Sequence, residues 1–566
     1  MAIGVSPAGP REGLSPPPLD FTCTAVSVLS GLRTTGNQHG GRMATQLPGR
    51  PNLDQLKRQA KDLMRAARDG ERDALRRFRI LPAFAQDSDA VLAGRPLALH
   101  DAQSVIAREH GFDSWNALRE RVEELTLEIG AALERFLEAA TDGRTDRAER
   151  LLELHPAIAR ANFHTALVLG DADAVNASLS THPELARAAG GPRGWEPLHY
   201  VCHTSVGARS EPREEGLIAI ARRLISLGAD PNLRFPWLHH EVHRPVLWGS
   251  VFVVQSLRLA SALLEAGADP SDGVTLPIAA SDGDVVTLDM LLAHGVDVNR
   301  PWATDGSSPL YAILHWAKTA VGIRWLLEHG ADPDPVFAQT GETPLHVVAA
   351  GWDASLADEL VRRGADLGRR RADGRTPYAI AELNGNREVA AWLLAHGADP
   401  EISNVDRLVS ACSHGDRETV LGMLGANPAL RERIGPEHYA AFYGAAERND
   451  VDALDVMLAC GFDPNRGDES IGKTALHVAA MEGWPDAVRL LLARGASTSV
   501  RDREFKAQPL IWAAEGSRTS RTDRDHARVG QLLLEAGSPV EWQQGDEPSE
   551  GIVDIVNAWR GLAPTR

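Results

Sequence analysis

Residues 472–497 read GKTALHVAAMEGWPDAVRLLLARGAS. Thr474 stands before an apolar run, where its hydroxyl is suited to capping the first turn of a helix. Leu476, Val478, Ala479 and Ala480 form that helix, with small residues where a neighbour comes close, and Gly483 stops it. Pro485 suits the first turn of a second helix, because a first-turn residue needs no N–H. Val488, Leu491 and Leu492 then give the second helix a buried stripe at helical spacing. Gly495 follows the last turn, where a left-handed cap favours glycine. The stretch is therefore helix, tight turn, helix, stop. Helices this short cannot bury their apolar faces alone, so they need similar neighbours on each side.

The neighbours are present. The stop motif recurs as LISLGADPN (224–232), LLEAGADPS (263–271), LLAHGVDVN (291–299), LLEHGADPD (326–334), LVRRGADLG (360–368), LLAHGADPE (393–401), MLACGFDPN (457–465) and LLARGASTS (491–499), with a weaker LLEAGSPVE (533–541). The stop glycines are Gly228, Gly267, Gly295, Gly330, Gly364, Gly397, Gly461, Gly495 and Gly537, spaced by 39, 28, 35, 34, 33, 64, 34 and 42 residues. The 64-residue gap holds a degenerate copy at 407–430. Start motifs are EPLH (196–199), SPLY (308–311), TPLH (343–346), TPYA (376–379), TALH (474–477) and QPLI (508–511).

A period near 33 residues with a T-P-L-H-x-A start is the ankyrin signature. The sequence resembles ankyrin-repeat proteins over roughly Arg135 to Val540, most sharply at TPLHVVAA and TALHVAA. The resemblance implies an all-α solenoid of roughly eleven helix–turn–helix repeats with short finger hairpins. It also implies that the motif threonine and histidine bond with each other and with backbone between repeats. That structural role would fall on Thr343, Pro344, Leu345 and His346, on Thr474, Leu476 and His477, and on the stops Gly330, Gly364, Gly397 and Gly495. Tyr311 and Ile511 stand at the histidine position elsewhere, so the network should be partial.

Residues 1–42 are rich in Pro, Gly, Ser and Thr and read either as a disordered tail or as an artefact of a start that belongs at Met43. Residues 49–128 form a separate N-terminal helical domain. Leu53, Leu56, Ala60, Leu63, Met64 and Ala67 make one stripe, and residues 102–125 a helix pair broken at Gly111 with Ser114 as the next cap. This region resembles the segment ahead of the repeats in many bacterial ankyrin proteins. Between Asp54 and Ile80 it carries nine Lys/Arg against five Asp/Glu, read as a solvated face over a core stripe. Residues 131–190 read as divergent capping repeats, 191–545 as the solenoid, and 546–566 as a capping helix with Ile552, Ile555, Val556 and Trp559 on one face. Residues 204–216 look like a loop inserted inside one repeat, 233–243 like a second insertion, and 517–526 like a polar insertion in the last repeat. The repeat at 272–299 is short and should have a trimmed finger.

The net charge of −18 argues against a nucleic-acid partner. No apolar run reaches the roughly 18 residues of a membrane span. AVSVLSGL (25–32) lacks a convincing cleavage site, and Cys23, Cys202, Cys412 and Cys460 are too scattered for a disulfide framework. The expectation is a cytoplasmic, bacterial, monomeric protein.

No nucleophile–base pair, phosphate loop or H-E-x-x-H pattern is present, so the reading is non-catalytic and without a cofactor. His199, Cys202 and His203, with His239, His240 and His243, form a histidine-rich region that could hold zinc. Against that, His199 is the motif histidine and the second trio lies on a loop, so metal binding is the minor alternative. Thirteen Trp against five Tyr favours aromatic anchors for an unidentified protein partner. Trp325 and Trp392 precede Leu-Leu and read as core; Tyr200, Trp237, Trp302, Trp316 and Trp512 are the candidate partner contacts. The reading is a scaffold that binds a protein by its concave face and fingers. The other alternative is a two-ended adaptor that also uses the N-terminal helices.

Overall fold

The computed structural model describes residues 47–48, 51–81, 84–95, 97–236, 243–302, 306–315, 317, 319–519 and 524–539. The tail 1–42, the proposed cap 546–566, His239, His240, Trp237 and Trp316 lie outside them. The described residues divide into two compact units, one built from residues up to 302 with 308–332, the other from 333 onward with 306–307.

The first unit opens with five helices: α1 (Leu53–Arg68), α2 (Arg72–Phe78), α3 (Asp89–Gly94), α4 (Leu99–Glu109) and α5 (Trp115–Thr126). Asn52 caps α1 and Ser114 caps α5 through their side chains. The α1 stripe Leu56, Ala60, Leu63, Met64 and Ala67 packs with Leu75, Phe78, Val105, Ile106 and Leu118 in one apolar core. Six helix pairs follow: α6 (Ile129–Thr141) with α7 (Thr145–Leu154), α8 (Phe163–Leu169) with α9 (Ala172–Thr181), α10 (Pro197–Cys202) with α11 (Glu211–Ser226), α12 (Val246–Phe252) with α13 (Leu257–Glu265), α14 (Thr275–Asp282) with α15 (Val285–Ala293), and α16 (Pro309–Leu314) with α17 (Val321–Glu328).

The small helical bundle is joined to the first pair by charge. Glu124 on α5 is fully buried and meets Arg121 at 3.3 Å, Arg147 at 3.7 Å and Arg150 at 2.8 Å. A carboxylate taken out of water at such a depth is tolerated because guanidinium groups surround it.

The second unit holds six more pairs: α18 (Pro344–Gly351) with α19 (Ala354–Arg362), α20 (Pro377–Leu383) with α21 (Arg387–Ala395), α22 (Asn404–Ser413) with α23 (Arg417–Ala426), α24 (Tyr439–Glu447) with α25 (Val451–Cys460), α26 (Ala475–Met481) with α27 (Pro485–Ala493), and α28 (Pro509–Thr519) with α29 (His526–Glu535). Every one of the nine stop glycines has a positive φ, from 81° at Gly295 to 113° at Gly364. At Gly364 the next amide, Ala365 N–H, reaches back to Leu360 O at 3.0 Å, closing the helix end with a left-handed residue that only glycine adopts cheaply.

Three segments differ from the sequence reading. The supposed loop 204–216 is half helix, since α11 begins at Glu211 with Pro212 and Glu214 in its first turn, where both are favoured. Residues 204 and 205 instead fold back on earlier pairs: Thr204 Oγ1 donates to Val168 O at 2.8 Å and Ser205 N–H to Ala140 O at 2.8 Å. The described ends of the insertion at 233–243 pair as antiparallel strands, β1 (Arg234–Pro236) with β2 (His243–Pro245), the only strand pair among the described residues. At the last insertion, α28 runs on to Thr519, and residues 520–523 lie outside the described part.

Candidate partner-binding site

The repeat motif builds a rigid base for the fingers. In the second unit, Thr343 N–H and Oγ1 lie 3.2 and 2.9 Å from His346 Nδ1, and His346 Nε2 lies 3.2 Å from Arg375 O of the next repeat. The same set recurs at Thr474 and His477: 3.1 and 2.8 Å within the motif, then 3.2 Å to Ala507 O. Two donors on Nδ1 leave Nε2 to carry the proton, so each ring is neutral and bridges two repeats. Burial lowers the basicity of both rings.

A second inter-repeat clasp was not read from the sequence. Asn232, Asn299 and Asn465 close the stop motif. Each donates to the carbonyl of the next stop glycine, Gly267 (3.1 Å), Gly330 (2.8 Å) and Gly495 (3.0 Å). Each also accepts from an amide two residues on, at Asp269, Asp332 and Ser497, at 2.7–2.8 Å. The signal was the final Asn of GADPN, GVDVN and GFDPN, recurring in step with the glycine.

The arginine-rich finger Arg369–Arg375 is a third clasp. Arg369 pairs with Asp334 at 2.8 Å, Arg370 with Asp399 at 3.4 Å, Arg371 with Glu342 at 2.8 Å and Arg375 with Asp406 at 2.7 Å. His438 Nε2 joins Asp406 at 3.2 Å, and His438 Nδ1 accepts from Gly435 N–H at 2.9 Å. Gly435-Pro-Glu-His438 is thus a further start motif, hidden because glycine replaces its threonine. Burial alone would raise Asp406, but bonds from His438 and Arg375 outweigh it and hold the carboxyl well below the usual range.

The candidate contact residues fall apart into distinct environments. Tyr200 is fully buried, its hydroxyl donating to Gly190 O at 2.9 Å and accepting from Arg193 N–H at 3.1 Å. It offers no surface to a partner, because the 190–195 turn folds down over it. Trp302 is 6 % exposed and is corrected in the same way. Trp512 is half-buried: its Nε1 donates to Asp502 Oδ2 at 3.0 Å and its ring stands edge-on to His477, centroids 5.6 Å apart.

Next to Trp512 the structure places a residue that sequence reasoning missed. Phe505 is 54 % exposed on the finger before α28 and edge-on to Trp512 at 6.5 Å. The finger is held open by Asp502, which accepts from Glu504, Phe505 and Ala507 amides at 3.0, 2.6 and 3.1 Å. The preceding finger uses Asp468 in the same way on Ile471, Gly472 and Lys473. The hint was D-R-E-F-K, an aromatic one turn past an Asx-type aspartate.

The histidine-rich region is a packing cluster in the first unit. His199, Cys202 and His203 are buried, and Trp195 lies 5.9 Å from His199 and 5.8 Å from His203. His203 packs tilted against Trp248 at 6.0 Å, and Trp248 also meets Phe252 at 5.9 Å and Arg244 at 4.8 Å. Burial pushes His199 down to about 4 and His203 well below its ordinary value, and pushes the Cys202 thiol up. Among the described residues no group of three His, Cys, Asp or Glu side chains converges as metal ligands.

The family model for ankyrin repeats, as three copies, matches residues 314–404 and 438–540. This chain contains ankyrin repeats. Its fold is an all-α ankyrin-repeat solenoid with a helical segment ahead of the repeats. Ankyrin repeats generally mediate protein–protein interaction. The chain is similar to the human transient receptor potential cation channel subfamily A member 1, at 27 % identity over 25 % of this chain and 16 % of the channel subunit. It is similar to the human ankyrin repeat and SOCS box protein 6, at 35 % over 17 % of this chain and 21 % of that protein. It is also similar to mouse protein phosphatase 1 regulatory subunit 27, at 32 % over 14 % of this chain and 53 % of the relative. The chain therefore spans about half of these relatives' length or much less. All three are animal proteins and give the bacterial type no support. Among the described residues no helix is long and apolar enough to cross a membrane.

Proposed function

We propose that this ankyrin-repeat protein is a non-catalytic scaffold that binds a protein partner through the concave face and fingers of its repeats. The observation that carries the reading is Phe505, a large aromatic ring 54 % exposed on a finger whose backbone is fixed by a buried aspartate and backed by Trp512. Large aromatic side chains held rigidly at a surface are the usual anchors of protein interfaces. Clasps between repeats supply the rigidity, so little order need be gained on binding. The reading includes a single copy of the chain working in a bacterial cytoplasm, the last on the likeness of the N-terminal segment. The two-ended adaptor remains the second reading, because Arg58, Lys61, Arg68 and Arg72 on α1 and α2 have no carboxylate partner among the described residues.

The test replaces Phe505 in the full chain with a photo-crosslinking phenylalanine analogue and exposes it in lysate of the source organism. Leu421, 65 % exposed on α23, carries the same analogue as the control. A defined protein adduct at 505 and none at 421 supports the scaffold reading. Adducts equal at both positions, or an adduct at 421 alone, would move the site away from the fingers.

A further inference from the structure

The fingers at 466–473 and 501–506 lie side by side, since Arg503 N–H donates to Ile471 O at 2.5 Å and Arg503 Nη2 reaches Asp468 O at 2.7 Å. Together they carry five cations: Arg466, Lys473, Arg501, Arg503 and Lys506. Not one has a carboxylate within ion-pair distance among the described residues. Arg466 sits 4.9 Å over the Tyr439 ring, Arg501 donates to Lys506 O at 2.8 Å, and Lys506 Nζ to Arg503 O at 2.5 Å. Against them the two fingers carry four acids, Asp468, Glu469, Asp502 and Glu504, so the formal charge of the pair is +1. Asp468 and Asp502 are engaged by backbone amides.

The contrast is the finger at 369–375, where four arginines all meet carboxylates of neighbouring repeats. One cationic finger has its charge consumed by the fold; the other pair keeps it. In a chain of net charge −18, a cluster of unneutralised cations beside an exposed aromatic is a local reversal of sign. Guanidinium and ammonium groups left without internal partners recognise carboxylates by charge-assisted hydrogen bonds. On the same finger as Arg501, Arg503 and Lys506, the exposed Phe505 stands edge-on to the half-buried Trp512 at 6.5 Å.

We infer that these two fingers dock an acidic peptide segment carrying an aromatic or long aliphatic anchor: the anchor packs on Phe505 and Trp512 while flanking carboxylates meet Arg501, Lys506 and Lys473. This rests on the scaffold reading above and adds the chemistry of the partner. Binding of this kind weakens as salt rises, because Arg501 and Lys506 are exposed and Lys473 is half-buried.

The test uses the full chain and three fluorescein-labelled heptapeptides, read by fluorescence anisotropy. One has a central Leu-Phe flanked by glutamates, one the same pair flanked by lysines, and one alanines flanked by glutamates. The glutamate-flanked Leu-Phe peptide is expected to bind at least about tenfold more tightly than either of the others. Phe505→Ala, and separately Arg501→Glu with Lys506→Glu, should each weaken it at least about tenfold. These side chains are exposed, so the variants should keep the parent's circular dichroism and melting temperature, and that is checked first. If the lysine-flanked peptide binds as well, and Phe505→Ala weakens both, the acidic-partner inference falls while the finger scaffold stands. If no peptide binds, or neither variant changes binding, the inference also falls, and the crosslinking result alone decides the scaffold reading.

Discussion

Acidification should loosen the first unit at one named place. His199 and His203 are buried beside Trp195, and burial holds His199 at about 4 and His203 well below its ordinary value. In the unfolded chain both would titrate near about 6.5. Below that pH the unfolded state binds more protons than the folded state, so stability falls as pH falls. The contribution is whole above about 6.5 and is lost on the way down to the folded value. For His199, a fall from about 6.5 to about 4 corresponds to roughly 3 kcal/mol, lost at about 1.4 kcal/mol per pH unit; His203 adds to it with the same sign. The assay is native-state hydrogen exchange by mass spectrometry on peptides covering α10 and α12, corrected for intrinsic exchange, at several pH values between about 7 and about 5. Opening free energies of these helices should fall across that range, and His199→Gln should flatten the slope. Equal opening free energies at both ends, or a His199 ring proton signal that titrates at its ordinary value, would refute the reasoning.

Glu124→Ala should cost about 3 kcal/mol, because it removes the buried carboxylate that Arg121 and Arg150 bond and leaves Glu120, 2.7 Å from Arg147, as the remaining acid of the cluster; the melting temperature and exchange of α5 and α7 check it. Asn465→Ala removes two inter-repeat hydrogen bonds and should cost roughly 2 kcal/mol, read as lost exchange protection at the Ser497 amide. Gly322→Ala would set a methyl 1.9 Å from Ala280 O and should destabilise by about 2 kcal/mol or more, whereas Gly422→Ala on α23 meets nothing within 4 Å and should be neutral or stabilising by urea titration. The melting temperature in EDTA should match that in buffer, and zinc bound stoichiometrically after chelation would overturn that expectation.

The repeats were legible because each is built from local rules. A cap, a stripe at helical spacing, a proline at the first turn and a glycine at the stop all act within one period, and the glycines at 228 through 537 all take the left-handed backbone that their spacing implies. Where a local signal was altered, reading faltered. His438 was overlooked as a motif histidine because Gly435 replaces the threonine, and the polar run 211–216 passed for loop although its acids suit a helix start.

The candidate site was much less legible. Tyr200 and Trp512 stand at comparable positions on first helices, yet the 190–195 turn covers one and the other remains half open beside Phe505. No periodic rule separates them. Likewise the arginines of 369–375 and the cations of 466–506 look alike as composition. Only the stacking of repeats brings Asp334, Asp399 and Asp406 against the first set and leaves the second without carboxylates. The sequence by itself therefore determined the helix pairs, their turns and their order, since those depend on interactions within about 33 residues. Tertiary structure decided which aromatic rings and which charges reach solvent, because that depends on how finger and helix surfaces of neighbouring repeats come into register.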